Sequence, residues 1–189
     1  MARRLNEPAM PTNPRGFTLI EALIVMAVVS LLLCLAVPAW TDAVAATRSS
    51  DARSRLYRTL LAADNHATAT GVAVVVCASA DGASCSRSPE WTRGWIAFAD
   101  LDGDRVPDGN ETMLRREPAL DGTTRLRSTR GRTRLVFQPF GGTPGSNVTF
   151  TLCDDRGPEK ATTIVMANTT RLRQAKPSAR AARECVSSG

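Results

Sequence analysis

From Phe17 to Val37 the chain is almost wholly apolar, and the only charged side chain in that run is Glu21. The run is close to the ~20 residues that a helix needs to cross a bilayer. Ahead of it lies a polar, Pro-containing segment with Arg3, Arg4 and Arg15 against Glu7. Arginines on that side stay cytoplasmic, so the chain beyond the run is expected outside the inner membrane. A carboxylate within hydrocarbon is costly and marks a functional position. The rival reading is a secretory signal peptide cut after Ala43-Val44-Ala45, which releases a soluble exported DNA- or ligand-binding protein. Such a signal has an apolar core of only ~7–15 residues and no place for Glu21.

Gly16-Phe17-Thr18-Leu19-Ile20-Glu21 resembles the processing site of type IV prepilins. The resemblance implies that a membrane prepilin peptidase cuts between Gly16 and Phe17 and that Phe17 is then N-methylated. Glu21 becomes the fifth residue of the mature chain. Its implied role is to pair with the N-terminal amine of a neighbouring subunit during fibre assembly, which agrees with the need of a buried carboxylate for a cationic partner.

The chain has 189 residues, enough for one domain and an appended segment. The expected parts are a leader (1–16), a transmembrane helical segment (17–38), a second amphipathic helical segment (39–70), a periplasmic β-rich domain (71–175) and a basic tail (176–189). Pro38 should end or kink the first helical stretch, because it has no N–H and crowds the preceding turn. Leu56, Leu60 and Leu61 recur at helical spacing and should face the domain. Asp51, Arg53, Arg55 and Arg58 should stay in water. Gly71 is placed to stop the helix.

Past Gly71, short apolar segments alternate with turn residues. The expected strands are Val72–Ala78, Gly94–Ala99, Thr112–Arg116, Thr124–Arg127, Arg132–Gln138, Val148–Cys153 and Thr162–Ala167. Ordered pieces here resemble GspH/FimT-type pilins: Trp91-Thr92-Arg93-Gly94-Trp95-Ile96-Ala97-Phe98, Leu114-Arg115-Arg116, Phe137-Gln138-Pro139-Phe140-Gly141, Thr149-Phe150-Thr151-Leu152-Cys153-Asp154 and Thr163-Ile164-Val165-Met166. The resemblance implies an α+β fold, with a long helix packed on a small antiparallel β-sandwich.

Four of the five cysteines lie in the polar half, as expected of disulfides in an exported domain. Four allow three connectivities. The pairing expected is Cys77–Cys85, around the Asp81-Gly82 turn, with Cys153–Cys185 tying back the tail. Cys34 stays a free thiol in the apolar helix.

His66 is the only histidine, and no nucleophile elbow, phosphate loop or paired metal-binding histidine motif is present. The sequence reads as a non-enzyme without a resident cofactor. One loop offers a Ca²⁺ ligand set: Asp100, Asp102, Asp104, Asp108 and Glu111 stand at positions one, three, five, nine and twelve of an EF-hand-like loop. Position six is Arg105, where the sharp turn wants Gly.

Net charge is +6, and arginine supplies nearly all of the positive charge. Arg125 with Arg127, Arg132 with Arg134, and Arg171 with Arg173 are spaced two apart, so each pair shares a face if extended. FimT-like pilins capture DNA through a Gly-Arg-x-Arg motif after the last strand. Gly131-Arg132-Thr133-Arg134 has those letters in an earlier place. Thr170-Arg171-Leu172-Arg173 has the place, with Thr for Gly, and Lys176 follows. The same arginines serve equally as a solvated basic face.

The reading is a minor pilin of a type IV pilus, acting in fibre assembly or initiation and in DNA capture. Its partners would be other major and minor pilins, the prepilin peptidase, the inner membrane and DNA. A minor pseudopilin of a type II secretion system uses the same architecture.

Overall fold

The computed structural model describes residues 16–145 and 147–187. The arginines of the leader lie outside them. The chain divides into two units, one ending at Trp40 and the other beginning at Thr41. Helix α1 (Leu19–Thr70) begins in the first and ends in the second.

In the first unit, Thr18 caps the helix. Its hydroxyl accepts the Glu21 N–H at 3.3 Å, and its carbonyl accepts the Ala22 N–H at 3.2 Å. A Thr cap with Glu three residues on is the arrangement of a capping box. Every side chain from Leu19 to Trp40 is exposed in the isolated chain. An apolar surface this large needs lipid or other subunits to cover it, and the helix is long and apolar enough to cross a membrane. Pro38, expected to end or kink the helix, does not end it, because α1 runs on to Thr70. A proline removes one N–H from the ladder, and a long helix in an apolar setting tolerates that loss.

In the second unit, α1 buries Ala52, Leu56, Thr59, Leu60, Ala63 and Ala67. The steps of three and four residues make one stripe. Leu61 falls off that stripe and is half exposed, contrary to expectation. Arg55 departs the other way. It is not left in water: its side chain is only 12% exposed, ion-paired to Glu117 at 2.8 Å and stacked over the Trp95 ring at 5.5 Å. Gly71 ends the helix with φ 74, its N–H on the Ala67 carbonyl.

Eight strands come after the helix: β1 (Ala73–Ala78), β2 (Trp95–Asp100), β3 (Met113–Glu117), β4 (Arg125–Ser128), β5 (Arg134–Phe137), β6 (Val148–Cys153), β7 (Thr162–Met166) and β8 (Leu172–Ala175). They form two four-stranded antiparallel sheets, ordered β3-β2-β1-β5 and β4-β6-β7-β8. The fold is therefore α+β, with the main core drawn from the α1 stripe and both sheets. Trp91 and Trp95 are fully buried there, and Trp91 meets Phe150 edge-on at 5.0 Å. Strands β1 and β2 read as unbroken apolar runs because their second face is covered as well. Val75, Cys77, Ile96 and Phe98 form a separate cluster with Cys85, Met113 and Val136.

The tail differs from expectation. Residues Leu172–Ala175 form an eighth strand beyond the seven expected, and within the 176–189 tail Ala179–Ser187 form helix α2. Ser178 starts α2, its hydroxyl accepting the Ala181 N–H at 3.2 Å. Ala182, Cys185 and Val186 lie at helical spacing and pack on Cys153 and Ala161.

Candidate functional site

Gly16, Phe17 and Glu21 sit at the head of α1. Phe17 is 87% exposed. Glu21 is the acidic residue of the first helical turn, where the positive end of the helix dipole favours a carboxylate. Thr18, which fixes this start, is not among the residues singled out from the sequence. The hydroxyl three places before Glu21 was the available signal.

The expected cationic face of Arg171 and Arg173 lies at the β7–β8 hairpin. The Thr170 N–H bonds the Ala167 carbonyl at 2.9 Å, and the Ala167 N–H bonds the Arg171 carbonyl at 3.1 Å. Thr170 itself takes φ 59. A hairpin closed this way wants a left-handed residue at that position, usually Gly. Here Thr adopts it, with its hydroxyl bonded to Asp64 of α1 at 3.1 Å. The turn therefore forms despite the substitution. Leu172 packs toward the core while Arg171 and Arg173 point to solvent. Strand β8 is an edge strand, and Lys176 follows it, also exposed.

The literal motif lies elsewhere. Arg132 is not on a strand, because β5 begins at Arg134. Gly131 takes φ 80 in the β4–β5 turn. Arg125 and Arg127 do share β4, but both serve the structure. They donate to the carbonyls of Val186 at 2.7 Å and Glu184 at 3.3 Å, at the C-terminal end of α2. Cationic side chains on the last carbonyls of a helix stabilise it. Arg127 also pairs with Glu90 at 3.6 Å.

In the acidic loop, Asp100, Asp102 and Asp104 bring their carboxylates within 4.8 Å of one another. These three could supply cation ligands. Asp108 and Glu111 stand outside that group and hold the loop's own turns. Asp108 accepts the Asn110 N–H at 2.7 Å, and Glu111 accepts the Leu101 N–H at 2.9 Å. Desolvation pushes the Glu111 carboxyl up, against the lowering by the Leu101 and Asp108 N–H groups. Arg105 takes φ 64 at position six, so the left-handed turn exists without Gly.

Cys77 is bonded to Cys85, and Cys153 to Cys185. Cys34 is a free, exposed thiol. His66 is half-buried on α1, and its carbonyl accepts the Thr70 hydroxyl.

A capped apolar helix that opens on Gly-Phe-Thr-Leu-Ile-Glu and carries an antiparallel two-sheet domain defines the type IV pilin-like class. Residues 52–170 match the family model described as Type II transport protein GspH, and the chain belongs to that family. Residues 12–36 match the prokaryotic N-terminal methylation motif. Among solved structures, the type IV minor pilin FimU of Pseudomonas aeruginosa is similar, with TM-score 0.53, 17% identity, and coverage of 67% of this chain and 87% of that one. The minor pseudopilin EpsH from the Type 2 Secretion System of Vibrio cholerae is similar too, with TM-score 0.51, 14% identity, and coverage of 69% and 98%. No curated protein matches in sequence.

Proposed function

We propose that this chain is a minor pilin of a type IV pilus. It is processed between Gly16 and Phe17, anchored in the inner membrane by α1, and drawn into the fibre through Glu21. One observation carries this reading. Glu21 is the single charged side chain on the exposed apolar stretch of α1 up to Trp40, four residues after the point where cleavage would create an amine. In a packed fibre a carboxylate there needs a cation, and the Phe17 amine of a neighbouring subunit supplies it. The β-rich domain is then periplasmic, and the role is structural rather than enzymatic.

Glu21→Ala should be processed normally yet be missing from sheared fibres. If Glu21→Ala enters the fibre as wild type does, the assembly role fails. Deleting the chain should abolish surface pili while leaving type II secretion intact. The reverse pattern assigns it to the secretion system.

DNA capture is the finer part of the proposal, and the β7–β8 hairpin supports it. The turn at Thr170 leaves Arg171, and Arg173 on the edge strand β8, exposed to solvent, where cations can contact phosphates. Binding should be weak, indifferent to sequence and steeply salt-dependent. Arg171→Gln with Arg173→Gln should weaken it and flatten the salt slope. If instead Arg132→Gln with Arg134→Gln abolishes binding and the hairpin pair does not, the site is the β4–β5 turn.

A further inference from the structure

Two clefts of the β-rich domain lie side by side, about 550 and 340 Å³ in volume, and share Arg105, Thr133 and Arg134. Four loops converge on them: the segment after the Cys77–Cys85 disulfide, the acidic loop between β2 and β3, the β4–β5 turn and, at the smaller cleft, the β5–β6 loop. Arg87 lines the larger cleft and Arg132 the smaller. Arg105 and Arg134 are drawn together although both are cations, since the Arg134 guanidinium donates to the Arg105 carbonyl at 3.4 Å.

Charge pairing separates this site from its neighbours. Among the described residues, none of Arg87, Arg105, Arg132 and Arg134 has a carboxylate within 4.0 Å. The groove beneath α2 holds three arginines, of which Arg127 is paired with Glu90 and Arg180 with Glu184, leaving Arg130 alone without a carboxylate within 4.0 Å among the described residues. The acidic loop does not neutralise Arg105 either. Asp100 accepts the Arg105 backbone N–H at 3.0 Å, and Asp102 and Asp104 accept those of Asp104 and Val106. Four arginines thus line the two joined clefts without a carboxylate at ion-pair distance. Clustered like charges are unfavourable until an anion joins them, and guanidinium bonds to phosphate oxygens are among the stronger ones.

The walls narrow the choice of anion. Ser86 and Thr133 add hydroxyl donors, while the Ser84 hydroxyl is taken by Asp81. Among the described residues no aromatic side chain lines either cleft, so no base or sugar ring has a stacking partner. A concavity of this size suits a small ligand rather than a duplex. Two joined clefts with arginines along both suit several linked phosphates better than one.

We propose that these clefts bind a compact oligophosphate, a short chain of linked phosphate groups, free or carried on a small ester. The site is separate from the β7–β8 hairpin and does not depend on the DNA reading.

The probe is inorganic tripolyphosphate, titrated calorimetrically into the full chain in non-ionic detergent at low ionic strength. Saturable one-to-one binding is expected. Arg105→Gln with Arg134→Gln should weaken it by about tenfold or more, the worth of one charge-assisted bond. Arg87→Gln, on an exposed loop away from the Arg105 turn, should weaken it without altering the fold. Arg171→Gln with Arg173→Gln should leave it unchanged. Orthophosphate should bind distinctly more weakly than tripolyphosphate. Adenosine triphosphate should bind about as tightly as tripolyphosphate, which assigns recognition to the phosphate chain alone. Absence of saturable binding overturns the proposal. So does an equal loss in the Arg171/Arg173 variant, which would mean a diffuse charge field, or a marked preference for the nucleotide, which would mean that the base is read.

Discussion

Thr59 lies in the middle of the α1 stripe, fully buried, where a methyl-bearing side chain fits and a hydroxyl must find partners. It has two. It accepts the Trp95 indole N–H at 3.1 Å and donates to the Arg55 carbonyl at 3.0 Å. Replacing it with Val keeps the shape and strands the indole N–H in the core. We predict that Thr59→Val destabilises the domain by about 1–3 kcal/mol, the cost of an unsatisfied buried donor, measured by urea unfolding of the full chain in detergent. A second residue sets a pH dependence. The Ser84 hydroxyl, the Ala83 and Ser84 N–H groups and the Ser79 hydroxyl all bond Asp81 and hold its carboxyl well below the usual carboxylate range. A depressed pKa lends stability above the unfolded value and loses it as pH falls through the folded one. The Ala83 and Ser84 amide signals should therefore hold their positions well below pH about 4, the ordinary Asp range. Asp81→Asn should remove that acid transition, and a wild-type midpoint near the ordinary value would contradict the assignment.

At the scale of elements, α2 is held to β6 by Cys153–Cys185 and to β4 by Arg125 and Arg127. We predict that Cys153→Ser with Cys185→Ser costs about 2–4 kcal/mol and exposes the α2 amides to hydrogen exchange while the β1–β2 amides stay protected. Continued protection of α2 would mean that the arginine bonds alone hold it. This helix also marks where the sequence stopped being legible. The apolar run, the α1 stripe and seven strands could be read because burial leaves a periodic pattern or, as in β1 and β2, an unbroken apolar run between turn residues. Helix α2 buries only Ala182 and Cys185, too few to raise a pattern above its arginines, and only Ser178 signalled its start. Strand β8 is four residues long with two exposed polar positions, so it has no alternation to detect. The capping role of Arg125 and Arg127 depends on where α2 comes to rest, which no local spacing encodes. The expectation for Gly16, Phe17 and Glu21 rests on a local signal, and residues 12–36 match the N-terminal methylation motif. The left-handed turn at Thr170 was not legible. It rests on Asp64, over a hundred residues earlier.

The whole molecule joins two surfaces of opposite need. The helix up to Trp40 leaves apolar side chains uncovered throughout, while the domain from Thr41 onward buries its own core. An apolar helix of this kind needs lipid or other subunits to cover it, and in the proposed function Glu21 would tie that covering to the N-terminus. The central claim is thus that the mature chain begins at Phe17. By its likeness to prepilins, Gly16→Arg should block processing and leave the full-length precursor in the membrane. The most direct measurement is the intact mass and N-terminal sequence of the protein extracted from membranes. The account predicts a chain beginning at N-methylated Phe17, and a chain beginning near Ala46 would contradict it.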